Sequence, residues 1–278
     1  IFKFNHKTTS LPFTPPSSFS SARAEKVQEA CRKLDSKPVF STALDVKSFR
    51  KEVIKVTTGA SSLDKILGGG LETGSITEVF GEFRTGKTQL AHTLCVTSQL
   101  GFSMQGGQGK VIYLDTENNF RPERIEQVAQ RYGLDTEQTL ENIMVGAAST
   151  SDEQMKMMVH ICALLADQDQ GPFRVLIVDS IISLFRVDFS GRGELSERQQ
   201  KLNKHMKQLS NIAQEFNIVV LIVNQCQADP GALNMFGPVI KPVGGHVIAH
   251  ASTTRIMLKK GKAEQRIAKI FDSPLMPE

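Results

Sequence analysis

Gly81-Glu82-Phe83-Arg84-Thr85-Gly86-Lys87-Thr88 is the stretch on which the reading of the whole chain turns. It fits the pattern GxxxxGK[ST], whose glycines let successive backbone N–H groups curl around phosphate oxygens. Residues 76–80 before it are a short β-branched run and predict a strand. Residues 87–100 after it predict a helix, with Leu90, Leu94 and Thr97 on one face and Gly101 as its stop. A strand, a glycine loop and a helix in that order set the positive end of the helix against a bound phosphate. Residues 82–85 then supply the cradle, Lys87 reaches the β- and γ-phosphates of a nucleoside triphosphate, and the Thr88 hydroxyl ligates Mg²⁺, with Gln89 beside it.

Outward from this loop, strand and helix signals alternate from about residue 57. Residues 111–115 read as a strand. Pro122 opens a helix with the stripe Ile125, Val128, Ala129 and Tyr132, and Gly133 ends it. Ser151 and Gln154 suit a capping box for a helix whose apolar face is Met155, Met158, Val159 and Cys162. Residues 174–179 and 218–224 are uninterrupted apolar strands. Between them, residues 196–216 form an amphipathic helix through Leu202, Met206, Leu209, Ala213 and Phe216. Residues 255–259 and 266–271 predict a hairpin around Gly261. Fully apolar strands alternating with helices imply an α/β fold, a twisted, mostly parallel sheet with helices on both faces.

The carboxyl ends of such strands meet at one edge, where ligands sit. Asp179 ends its strand there and is the candidate second anchor for Mg²⁺; the same position also suits a helix N-cap. Glu117, two residues beyond Asp115, is placed to orient and deprotonate an attacking water, the plain alternative being an exposed loop carboxylate. Gln225 ends a third strand and is a candidate sensor of the γ-phosphate.

The chain has 278 residues and a net charge of +4, too small to indicate a nucleic-acid partner by itself. An apolar content of 40% excludes general disorder. No apolar run reaches the ~18 residues of a membrane span. Cys31, Cys95, Cys162 and Cys226 form no CxxC pair, so neither a zinc site nor a secreted disulfide scaffold is expected. The charge is unevenly placed. Between residues 226 and 262, Lys241, Arg255, Lys259, Lys260 and Lys262 face the single acid Asp229, an excess equal to that of the whole chain. Residues 226–245 are Gly- and Pro-rich and predict a structureless functional loop. A second cationic segment is Gly191-Arg192-Gly193, flanked by Arg186 and Arg198. Two such loops beside a triphosphate site suggest a groove for a single-stranded nucleic acid, a solvated loop being the alternative. Residues 1–24, acid-poor with Pro and Ser, read as a disordered tail. The start at Ile1 reads as a fragment or processed chain, and the abrupt end after a strand-like run as a missing C-terminal piece.

Thr57-Thr58-Gly59, Leu67-Gly-Gly-Gly70, GEFRTGKTQ from Gly81, DTEN from Asp115, FRPER from Phe120, SGRGEL from Ser190 and GGHVIAHASTTR from Gly244 together resemble the RecA/RadA recombinases. LFRVDFSGRGELSERQ and NQCQADPG resemble the eukaryotic meiotic strand-exchange branch. The resemblance runs from about residue 22 to the end. It implies a RecA-like P-loop ATPase core over residues 57–278, preceded by an unmatched segment 1–21, a remnant of a helical domain at 22–36 and a linker at 37–56. It further implies a nuclear protein of meiotic homologous recombination. Such a protein forms a helical filament on single-stranded DNA, binds ATP and Mg²⁺ between subunits, pairs with a homologous duplex and works with mediator proteins.

Residue by residue, the resemblance makes Glu117 the water-activating residue, Arg124 the stacker on adenine and Gln225 the γ-phosphate sensor. His250 becomes a sensor of the adjoining subunit's ATP, and Asp272 to Pro277 a cap over a neighbour's adenine. Arg192 and the loop tip Ala228, Asp229, Pro230 and Gly231 would wedge between bases, with Arg186, Arg198 and Lys241 also on DNA. Phe40-Ser-Thr-Ala43 resembles the F-x-x-A polymerisation motif, in which an extended segment adds to a neighbour's sheet edge while Phe40 fills a pocket. The sequence departs from the family in having little of the N-terminal helical domain and one lysine, Lys241, where a pair is usual. A non-catalytic mediator paralogue and a ring-forming helicase-type ATPase are the alternative readings.

Overall fold

The computed structural model describes residues 40–191, 193–234 and 237–277, and gives side-chain surroundings for these apart from Gln168 and residues 228–240. Residues 1–21, the expected remnant of a helical domain at 22–36 and Arg192 lie outside the described residues. The chain divides into two compact units, residues 1–53 and 54–278.

In the first unit, α1 (Ala43–Phe49) starts from a reciprocal cap. The Thr42 hydroxyl accepts from the Asp45 N–H at 3.2 Å, and the Asp45 carboxylate accepts from the Thr42 N–H at 3.1 Å. Thr42 itself is extended, and the Phe40 side chain is 91% exposed.

The second unit begins with β1 (Lys55–Val56), α2 (Ser61–Ile66) and β2 (Leu71–Glu72), the two strands pairing antiparallel. Then follow β3 (Ser75–Gly81), α3 (Lys87–Thr97), β4 (Lys110–Asp115), α4 (Pro122–Tyr132), α5 (Thr136–Glu141), β5 (Ile143–Ala147), α6 (Ser151–Ala166) and β6 (Phe173–Asp179). The series ends with α7 (Ser183–Asp188), α8 (Leu195–Phe216), β7 (Val219–Asn234), β8 (Gly237–Pro242), α9 (Gly245–Ala251), β9 (Thr254–Lys260) and β10 (Arg266–Asp272). The sheet order is β10-β9-β3-β7-β6-β4-β5. Along this order the pairings are parallel except for the antiparallel β9–β10 hairpin, and off it β8 pairs antiparallel with β7.

The unbroken apolar strands are explained by burial on both faces. Leu176, Val178, Val220 and Ile222 pack into the core with α6 and α8. Val175, Ile177, Val219, Leu221 and Val223 pack into the opposite core with α3 and α4. Each such side chain stabilises the fold by roughly 1.5–3 kcal/mol.

Three expectations are corrected. The cap of α6 is Thr150, one residue before the position expected: its hydroxyl accepts from the Glu153 N–H at 3.2 Å, and Glu153 accepts from Ser149 N–H at 2.9 Å. Ser151 and Gln154 are instead buried, and Val159, expected on the apolar face, is 70% exposed. Residues 226–245 are not structureless. The distal half of β7 pairs antiparallel with β8, from Cys226 opposite Pro242 to Asn234 opposite Gly237, with an irregularity between Asp229 and Leu233. Proline and glycine there hide the strand pattern, yet a bulge and an edge strand tolerate both.

A buried ion pair ties the sheet together beneath the hairpin of β7 and β8. Arg255 Nε on β9 donates to Glu78 Oε2 on β3 at 2.6 Å. Its guanidinium lies 5.4 Å and 5.2 Å from the ring centroids of Phe80 and Phe271. Glu78 also accepts from Asn224 Nδ2 at 2.6 Å. Arg255→Ala leaves the Glu78 carboxylate buried without its cation, and the expected loss is about 3–5 kcal/mol of unfolding free energy in a urea titration. A loss below about 1 kcal/mol would show that Glu78 does not need the pair.

Candidate nucleotide-binding site

The registers bring the functional positions to one edge. Gly81 is opposite Gln225, Phe80 opposite Asn224, and Asp115 opposite Asp179. The loop after β3 closes on Gly86, whose φ of +103° places it in the left-handed region and lets α3 start at Lys87. A cleft of about 1110 Å³ opens there, lined by Gly81, residues 83–89, Glu117, Arg124, Asp179 and Gln225 among others.

Lys87 Nζ donates to the Gly81 and Glu82 carbonyls at 2.9 and 2.8 Å. Burial holds its pKa below the usual lysine value, against the opposing pull of Cys226, Asp179 and Glu117. The Thr88 hydroxyl donates to Asp179 Oδ2 at 2.8 Å, and the Tyr113 hydroxyl donates to the same oxygen at 3.0 Å. Burial pushes the Asp179 carboxyl up to about 6 although both hydroxyls favour its ionised form. An oxygen-only pair, with a buried carboxylate whose two hydrogen-bond donors are neutral, fits a hard divalent cation such as Mg²⁺.

Asp115 organises the next loop. Its Oδ1 accepts from the N–H groups of Glu117 and Asn119 at 3.1 and 3.2 Å, and its Oδ2 from that of Phe120 at 2.9 Å. This turn presents Glu117 to the cleft. Glu117 Oε1 accepts from Ser180 Oγ and from Gln225 Nε2, both at 2.6 Å. Gln225 Oε1 in turn accepts from Arg186 on α7 at 3.2 Å. Arg124 is held by Gln89 Oε1 at 2.8 Å and Gln127 Oε1 at 2.9 Å.

The Rad51 family profile matches residues 49–278. The chain belongs to the Rad51 family. Within it, the chain is 55% identical over 259 residues to the meiotic recombination protein DMC1 homolog A of Oryza sativa subsp. indica, covering 93% of this chain and 74% of that protein. Meiotic recombination protein DLH1 of Candida albicans is 52% identical over 273 residues, 98% of this chain and 83% of the relative. The human DMC1/LIM15 homolog is 52% identical over 260 residues, 93% and 76% respectively. The chain is thus a homologue of DMC1 meiotic recombinases with the α/β, RecA-like fold expected of the Rad51 family.

Among the described residues, His250, Asp272, Pro277, Arg186, Arg198 and Lys241, expected to reach other subunits or DNA, are not part of the cleft lining. His250 is exposed on α9 with its ring 5.8 Å from that of His246. Asp272 and Pro277 are exposed at and beyond the end of β10. Arg198 is half-buried near the start of α8, and Lys241 is exposed on β8. Ala228, Asp229, Pro230 and Gly231 fall in the distal half of β7. Arg186 stands on Gln225, a contact that sequence cannot foresee.

Other lining residues carried no sequence signal or an unread one. Ser180 follows Asp179 at the strand end, and His92 lies one helical turn beyond Thr88, so spacing alone would have found both. His92 is 1% exposed, and its two ring nitrogens have no partner among the described residues. Burial, then the nearby Arg124 charge, pulls its pKa down to about 4. Cys226, Glu264 and Arg266 join the lining only because the sheet brings β7 and the β9–β10 hairpin to the loop.

Proposed function

We propose that this protein is an ATP-dependent strand-exchange recombinase of meiosis that forms filaments on single-stranded DNA in the nucleus. The observation that carries this reading is the convergence, at one sheet edge of a Rad51-family chain, of Lys87, the Thr88–Asp179 pair and the Glu117–Gln225 pair. The Gly86 loop and Lys87 bind the triphosphate. Thr88 and Asp179 would hold Mg²⁺, which supplies charge neutralisation at the phosphates when bound. Glu117 takes the proton of an attacking water, and Gln225 reads the γ-phosphate. Arg124 covers the base. His250, Asp272 and Pro277, exposed and outside the cleft lining, serve a neighbouring subunit's nucleotide.

Polymerisation has support in the shape of the parts. Phe40 is exposed on an extended approach to α1, and β5 is a terminal strand of the sheet with Met144 and Val145 exposed. A neighbour's extended segment can pair with such an edge. Arg192, the distal half of β7, Arg198 and Lys241 furnish the DNA surface. Strand exchange itself is nearly isoenergetic, since pairs are traded for pairs, so the filament's work is stretching and timing.

The test is a joint-molecule assay with single-stranded DNA, a homologous plasmid, ATP and Mg²⁺, run beside ATP hydrolysis. The expected result is joint molecules that require ATP, and hydrolysis stimulated by single-stranded DNA. Filaments without joint molecules would instead point to a mediator, and closed rings to a helicase-type ATPase.

A further inference from the structure

We infer that Arg186 is a latch: it holds the Gln225 side chain on Glu117 until a polynucleotide phosphate takes the guanidinium away. The inference rests on the ATPase and DNA-binding reading above and assigns that site its resting-state control.

Both ends of one carboxamide are engaged. Gln225 Nε2 donates to Glu117 Oε1 at 2.6 Å, and Gln225 Oε1 accepts from Arg186 at 3.2 Å. A flipped amide would set oxygen against carboxylate and NH₂ against guanidinium, so Arg186 and Glu117 together select one orientation. Glu117 is heavily engaged as well. Ser180 shares Oε1 at 2.6 Å, and Asn119 Nδ2 donates to Oε2 at 3.3 Å.

The main chain around Gln225 is fixed. Its N–H donates to Asn224 Oδ1 at 2.8 Å, its carbonyl accepts from Val243 N–H at 2.9 Å, and Asn224 Nδ2 is held by the Val243 carbonyl at 2.7 Å. The movable part is therefore the side chain. Gln225 and Lys87 line the same cleft, so a released carboxamide stays within the triphosphate site. The weak link is the one to Arg186. Arg186 is exposed, Gln225 is half-buried, and the acceptor is neutral. A phosphodiester offers guanidinium a charge-assisted, bidentate contact that outcompetes an amide oxygen. Loss of the latch frees Gln225 for the γ-phosphate and strips one donor from Glu117. DNA contact and hydrolysis are thereby coupled through one side chain, and the coupling is reciprocal in binding.

Steady-state ATP hydrolysis by the wild type, Arg186→Ala and Arg186→Lys, with and without saturating oligothymidylate, tests this, with circular dichroism to establish folding. Both variants are expected to raise DNA-free turnover about fivefold and to shrink the stimulation ratio by the same factor. Arg186→Lys, which keeps a charge for phosphate, should bind the oligonucleotide more tightly than Arg186→Ala. A merely structural arginine would not raise DNA-free turnover. Unchanged or lower DNA-free turnover in a folded variant overturns the latch, and Arg186→Lys decides should Arg186→Ala fail to fold. A wild type with no turnover in either condition overturns the ATPase reading, and the latch with it.

Discussion

Lys87→Ala is expected to weaken ATP binding by at least about a hundredfold and to abolish turnover. Lys87 is half-buried beside the carboxylates of Asp179 and Glu117, and the two carbonyls it now holds, those of Gly81 and Glu82, belong to the loop itself. Its ammonium is thus kept on the loop without an ion-pair partner among the described residues and can be handed to phosphate oxygens. An alanine leaves the loop backbone and its helix N-terminus to bind the phosphates unaided, next to two carboxylates that repel them. The fold should survive, because the substitution removes a contact of the loop and leaves both apolar cores of the sheet intact. Titration calorimetry measures the binding and a phosphate-release assay the turnover. Turnover within tenfold of the wild type would remove Lys87 from the phosphate site.

Glu117→Gln should separate binding from chemistry. The side chain keeps its size and its place on the turn that Asp115 builds through three backbone N–H groups. It loses the ability to accept a proton. ATP affinity is expected to stay within about threefold, whereas turnover falls by about 10²–10⁴, the usual worth of a positioned general base. A parallel loss of affinity and turnover would mean that Glu117 supports the site without acting on water. In the glutamine variant, the two short hydrogen bonds from Ser180 and Gln225 would face an amide in place of a carboxylate, so Gln225 should also be less firmly held.

What was legible in the sequence was whatever depends on local chemistry. A phosphate loop needs Gly86 at a positive φ and a lysine beside it, so strand, loop and helix can be read in eight residues. β6 and the first part of β7 were legible because both faces are covered and no polar residue interrupts them. Legibility failed where two candidates of the same chemistry adjoin. Thr150 and Ser151 are both good caps, and Glu153 and Gln154 both suit the third position, so the boundary of α6 moved by one. It failed again at residues 226–242, where Pro230, Gly231 and Pro238 mask a strand pair that only the register reveals.

The site follows the same division. Lys87 and Thr88 were read from the loop motif and Asp179 and Glu117 from strand ends, and all four line one cleft. The contact of Arg186 with Gln225 spans 39 positions, that of Gln225 with Glu117 spans 108, and no local rule predicts either. Ser180 was passed over because its neighbour Asp179 already explained the strand end.

The protein's grip on an unpaired strand should answer to the nucleotide in the cleft. Fluorescence anisotropy of a labelled oligothymidylate, titrated with the chain in Mg²⁺ with and without ATP, measures this directly. Binding at least tenfold tighter with ATP is the predicted result; the same affinity in both conditions would contradict it.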